Sequence, residues 1–239
     1  MKMKDKRAEQ IAAKKRHKAQ LKANRRTEPS IDRADPSLIE RPTILIVCEG
    51  KNTEPSYFNQ FRLSSAIVKP IGEGYNTVTL VQRAIELASE KHYDQVWCVF
   101  DADPKPDNPN QATNFNNAII LAEARGFGVA YSNQAFEYWI ILHFNDHQGG
   151  GMPRTIYDET INGLLKEYGV RYDGKNSKII TEEIFELLDG IDDRTGHSRV
   201  QLAIARAKRN YKMLDHNNPA SEESSTTVFK LVEELLKYI

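Results

Sequence analysis

Two short apolar runs, each ending abruptly in carboxylates, constrain this chain most. The first is Ile44-Leu45-Ile46-Val47-Cys48, followed by Glu49-Gly50. The second is Val96-Trp97-Cys98-Val99-Phe100, followed by Asp101-Ala102-Asp103. Apolar runs of this length without polar alternation read as strands buried on both faces, as in a parallel sheet. In open α/β sheets, ligands bind beyond the carboxyl ends of the strands. Carboxylates at two such ends are therefore expected to converge. They would repel one another unless a cation sat between them, and hard oxygen donors suit Mg²⁺ or Mn²⁺.

The rest of the chain supplies the pattern that such a sheet needs. Strands are predicted over Thr43–Cys48, Ala66–Ile71, Gln95–Phe100 and Gly128–Ser132, with helices over Thr77–Lys91 and Asn114–Arg125 between them. Alternation of this kind argues a mostly parallel sheet with right-handed crossovers. Gly72-Glu73-Gly74 and the Pro-rich stretch 104–109 read as loops. Gly149-Gly150-Gly151 marks a break. Beyond it, helices are expected over Thr155–Tyr168, Thr181–Leu188, Ser198–Asp215 and Thr226–Ile239. The expected organisation is an arm and linker over 1–41, an α/β domain over 42–150, and a mostly helical part over 151–239 packing on it.

Charge is unevenly placed. Lys and Arg number 33, as do Asp and Glu, but residues 1–26 hold eleven of the bases and only two of the acids. The arm is thus +9 and residues 27–239 are −9. A basic arm on an acidic body is a pattern used against phosphate backbones, though a solvated tail has the same composition. No apolar run reaches the roughly 20 residues of a membrane helix. The Lys-rich N-terminus lacks the apolar stretch of a secretory signal. Cys48 and Cys98 both fall inside predicted strands and read as reduced core thiols of a cytoplasmic protein.

Further acids fall where they can reach the same rim. Thr53 is placed as an N-cap, with Glu54 and Pro55 in the first helical turn. Asn133 is placed as the N-cap of a helix carrying Glu137. Both glutamates have a plain alternative, complementing a helix dipole. Tyr138, Trp139, Ile141, Leu142 and Phe144 read as core, and His143 as a core or capping residue. Lys51, Lys175 and Lys178 are candidate phosphate contacts. Arg199 and Arg206, with Lys208, Arg209 and Lys212, recur at helical spacing as a possible basic stripe. No phosphate-binding loop with Gly-Lys-Ser/Thr, no Gly-x-Ser-x-Gly elbow and no His-Glu-x-x-His is present.

A glutamate after one strand and an Asp-x-Asp after a later one resemble the Toprim domain of topoisomerases, bacterial primases and related nucleases. Several stretches resemble RloB-like proteins more closely. They are Ile46-Val47-Cys48-Glu49-Gly50-Lys51-Asn52-Thr53-Glu54-Pro55-x-Tyr57-Phe58, Val99-Phe100-Asp101-x-Asp103, and Asn133-x-x-Phe136-Glu137-x-Trp139-x-x-x-His143-Phe144. The closing Asn218-Pro219 and Ser225-Thr226-Thr227-Val228 are similar too, although Ala220–Ser224 separates them. The resemblance spans about residues 40–239. It implies a Toprim-like α/β fold in which Glu49, Asp101 and Asp103 hold Mg²⁺ for phosphodiester chemistry on DNA or RNA. Glu54 or Glu137 would assist as base or second-metal ligand. It also implies a role in abortive-infection phage defence beside a partner ATPase, and leaves a homo-oligomer open. Two rival expectations stand beside the nuclease: a non-catalytic nucleotide- or nucleic-acid-binding sensor or adaptor, and a primase-like nucleotidyltransferase, which the missing zinc module disfavours.

Overall fold

The computed structural model describes residues 41–70, 77–103, 110–148 and 150–239, with Lys15. The basic arm, the Gly72-Glu73-Gly74 turn and the Pro-rich loop at 104–109 lie outside the described residues. Residues Arg41–Ile239 form one compact unit.

Four parallel strands make the sheet: β1 (Ile44–Cys48), β2 (Ala66–Pro70), β3 (Gln95–Asp101) and β4 (Gly128–Ser132), in the order β2-β1-β3-β4. All five residues of β1 are buried, because β1 has a strand on each side and layers on both faces. Alternation of side chains divides it cleanly. Ile44, Ile46 and Cys48 enter one core cluster, and Leu45 and Val47 enter the other. Both cysteines are buried free thiols.

One face is covered by α2 (Thr77–Glu90) and α3 (Gln111–Ala124), packed through Leu80, Val81, Phe115, Ala118 and Ala122. The other face takes α1 (Thr53–Asn59) and α4 (Glu137–Phe144). Every residue of α4 is buried, including Glu137 and His143. A helix with apolar residues on every face must be enclosed, and the C-terminal half encloses it. That half comprises α5 (Tyr157–Leu165) between two 3₁₀ turns, α6 (Glu182–Leu188), α7 (Arg199–Lys212) and α8 (Val228–Leu236). Their apolar residues share one cluster with Trp139, Ile140 and the β1 residues facing them. None of the described helices is long and apolar enough to cross a membrane.

Local chemistry departs from expectation at three places. Asn52, not Thr53, is the N-cap of α1, so Thr53 opens the helix. The Asn133 side chain donates to the carbonyls of Pro219 and Ala220 instead of capping α4. The last helix begins at Val228 because Ser225-Thr226-Thr227 is used otherwise. These residues run antiparallel along the outer edge of β4. The Tyr131 amide donates to Thr227 Oγ1 (2.9 Å), the Thr227 amide to the Tyr131 carbonyl (2.8 Å), and the Asn133 amide to the Ser225 carbonyl (2.8 Å). An exposed strand edge invites intermolecular pairing, and the two threonines close this one.

Replacing Thr227 by the near-isosteric Val tests that closure. Thr227→Val leaves the buried Tyr131 amide without its acceptor and is expected to cost about 1–3 kcal/mol. Ile120→Ala, at an exposed position, is expected to stay within about 0.5 kcal/mol. Urea unfolding of both variants measures the contrast.

Candidate active site

The strand order reverses between β1 and β3. From β1 the chain moves outward to β2, then returns past β1 to β3 and β4. The crevice beyond the carboxyl ends at such a reversal is the ligand site of open α/β sheets. Glu49 leaves the end of β1 at this point, and Asp101 is the last residue of β3.

Geometry ties the two ends together. The Glu49 amide donates to the Val99 carbonyl (2.9 Å), continuing the β1–β3 ladder one residue further. The Asp101 amide donates to Glu49 Oε2 (3.2 Å), so the Glu49 side chain reaches across to β3. Asp101 Oδ2 accepts the amide of Phe136 (3.1 Å), the residue preceding α4. That contact brings Glu137, one residue on, to the same rim. Glu54, in the first turn of α1, is 95% buried, at 5% exposure. Its carboxylate lies directly over the turn at Gly50, where a Cβ atom would come within 2.3 Å of Glu54 Oε2. Glycine thus leaves room there for the close approach of carboxylate to backbone, and any larger residue would have to displace Glu54.

The electrostatics follow from this crowding. Burial pushes the Glu54 carboxyl up from 4.5 to about 7, reinforced by repulsion from Glu137 and Glu49 and opposed by its backbone hydrogen bonds. Asp101 is raised well above its ordinary value, first by burial and then by Glu54, Glu137 and Glu49, with Arg154 pulling the other way. Four carboxylates thus feel one another in a poorly solvated pocket.

Two residues not anticipated from the sequence complete the site. The Tyr172 hydroxyl, buried and with its ionisation suppressed by that burial, donates to Glu137 Oε1 (2.9 Å) and lies 3.4 Å from Thr53 Oγ1. Asn162 of α5 holds Tyr172 in place, accepting its amide (3.0 Å) and donating to its carbonyl (2.9 Å). Arg154 Nη1 donates to Asp103 Oδ1 as an ion pair. Burial lowers the Arg154 pKa, but Asp103, Asp101 and Glu137 together outweigh it and hold the guanidinium charge firmly. Asp103 itself lies on left-handed backbone, φ 37°. A lone Tyr at the head of a polar loop and an Arg three residues past a glycine break carry no signal that sequence alone resolves.

The proposed basic contacts divide. Lys51 is exposed in the turn after β1, and Lys175 and Lys178 sit on the loop that begins with Tyr172. The basic stripe is corrected at Arg199 and Arg206. Arg199 is 3% exposed, stacked over Phe144 and Tyr168, with Nη1 on the Leu187 carbonyl and Nη2 on the Tyr168 hydroxyl. Arg206 Nη1 donates to the Leu142 carbonyl (2.7 Å), near the end of α4. Orphan carbonyls at a helix C-terminus need donors, and these arginines serve the core there. His143 is likewise structural: Nδ1 meets the Trp139 carbonyl at 2.9 Å, and burial lowers its pKa to about 3.

Among the described residues, no three His, Cys, Asp or Glu side chains stand as a ready set of metal ligands. Mg²⁺ does not require one. It dehydrates reluctantly, keeps several waters, and binds through one or two carboxylates plus substrate phosphate. An all-oxygen donor set, pKa values raised by burial and then by mutual repulsion, and the close approach of Glu54 to Gly50 fit such an ion.

A family model described as RloB-like protein matches residues 44–235, which include every residue of this rim. No curated protein and no solved structure matches the chain.

Glu54 gives a signed pH prediction. A carboxyl that titrates near 4.5 unfolded and about 7 folded binds its proton more tightly in the native state. Its contribution to stability is full below pH 4.5 and is lost as pH rises through 7. Glu54→Gln is therefore expected to flatten the decline in stability between those values, and to exceed wild type at neutral pH. Denaturant unfolding across that range in EDTA measures it; parallel profiles for the two proteins would contradict the assignment.

Proposed function

The chain belongs to the RloB-like protein family, and on that premise we propose that it is a Mg²⁺- or Mn²⁺-dependent nuclease. The observation that carries the proposal is the convergence of Glu49, Glu54, Asp101 and Glu137 at the β1–β3 reversal. Mutual repulsion among buried acids is costly, and a divalent cation is the simplest group that offsets it. Toprim-like use of Glu49, Asp101 and Asp103 is consistent with this reading.

The division of labour follows from the surroundings of each side chain. Glu49 and Asp101 would hold the ion, their orientation set by the hydrogen bond from the Asp101 amide and by the Phe136 amide. Asp103 is the third candidate ligand, on the exposed side of the rim. The bound ion would supply Lewis-acid stabilisation of charge on the phosphate and a more acidic attacking water. Glu54, titrating near neutrality, is suited to take the proton from the nucleophile. Glu137, fixed by Tyr172, positions that water or a second ion. Lys51, Lys175 and Lys178 on the surrounding surface add electrostatic attraction for DNA or RNA. Phage defence with a partner ATPase, in the cytoplasm, completes the proposal.

A second reading, the non-catalytic sensor or adaptor, draws on one observation. Asp103 already has a cation in Arg154, which makes that carboxylate less available to a metal ion.

Cleavage assays separate the two. Plasmid, single-stranded DNA and tRNA are expected to be cut with Mg²⁺ or Mn²⁺ and spared in EDTA. Asp101→Asn and Glu49→Gln are each expected to lower the rate by on the order of a hundredfold or more. Equal activity in these variants, or none in wild type with its partner ATPase present, would favour the adaptor.

A further inference from the structure

Arg154 enters the carboxylate rim from the far side of the glycine break, and the chemistry above gives it no task. Charge compensation alone would explain a guanidinium beside acids. Three details go beyond compensation. First, the ion pair uses Nη1; Nε and Nη2 make no hydrogen bond with a described residue. Second, the side chain remains 39% exposed, so it is not sealed within the core. Third, its backbone is fixed. The Met152 amide donates to buried Ser224 Oγ (2.9 Å), and Arg154 starts the 3₁₀ turn that leads into α5. A guanidinium held in place with part of its donor edge unused is suited to a phosphate, which takes two parallel N–H bonds.

We infer that Arg154 is the phosphate-binding residue of this site, held in position by Asp103 to receive a phosphodiester of the nucleic-acid backbone. The inference rests on the nuclease reading and deepens it. Asp103 then acts through Arg154, orienting the fork through their ion pair. The contact is to phosphate oxygens and carries no base specificity.

The test is fluorescence anisotropy with labelled single-stranded DNA and RNA oligonucleotides and the full chain, Ca²⁺ replacing Mg²⁺, over a KCl series. Arg154→Gln is expected to weaken binding of both by roughly tenfold, and to reduce the slope of log affinity against log salt by about 1. Arg154→Lys is expected to restore the slope and only part of the affinity, because a point charge lacks the fork. A folded Arg154→Gln with wild-type affinity and slope overturns the inference and leaves the nuclease reading standing. A change in melting midpoint alone, with binding unmoved, marks charge compensation and overturns it equally. Should Arg154→Gln fail to fold, Arg154→Lys carries the test: wild-type affinity in that variant overturns the fork. Wild type that binds neither oligonucleotide removes the nuclease reading itself.

Discussion

Repulsion between carboxylates at the β1–β3 reversal is the constraint around which the fold is built. Glu49, Glu54, Asp101 and Glu137 come from a strand end, a helix start, a second strand end and a second helix start. Like charges in a pocket of low effective dielectric interact far more strongly than in water. Glu54 and Glu137 lie in first helical turns, where a helix dipole favours acids, while Glu49 and Asp101 end strands and gain nothing from a dipole. The fold brings them together through hydrogen bonds that would be wasted otherwise: the Asp101 amide on Glu49, the Phe136 amide on Asp101, and the Tyr172 hydroxyl on Glu137.

The cost of that arrangement is carried by packing around α4. Trp139, Ile140, Ile141 and Leu142 are completely buried, and full burial of such side chains contributes about 1.5–3 kcal/mol each. Helices α5 and α7 pack directly on α4, α8 packs on β4 and α7, and arginines 194, 206 and 209 satisfy carbonyls at and beyond the C-terminal end of α4. The N-terminal end of α4 faces the acids and the C-terminal end faces the cations, so the helix dipole is complemented at both ends. The C-terminal half is thus part of the site's support, and through Tyr172 and Arg154 it reaches the rim directly.

Much of this was legible in the sequence because the signals were local. Apolar runs over 44–48 and 96–100 named the central strands, and their terminal acids named the rim. The stretch from Tyr138 to Phe144, apolar but for His143, named the enclosed helix. What stayed hidden depends on long-range geometry. Asn133 resembles an N-cap until residues 219 and 220 arrive beside it. Ser225-Thr226-Thr227 reads as a helix start, and only its pairing with β4 reveals an edge closure. Arg199 has the spacing of a surface stripe, yet stacking on Phe144 and Tyr168 takes it into the core. Tyr172 and Arg154 lie 35 and 51 residues from the acids they touch, and no periodicity reports such a distance.

Proton release on metal binding tests the central claim most directly. If the acids share one pocket, a divalent ion entering it must expel the proton that Glu54 retains near neutrality. Mn²⁺ titration by calorimetry at pH 6.5, in two buffers of different ionisation enthalpy, counts those protons. Saturable binding with net proton release is expected in wild type, and binding with smaller release in Glu54→Gln, because Asp101 is raised as well. Absence of binding at millimolar Mn²⁺, or equal proton release from both proteins, would contradict it.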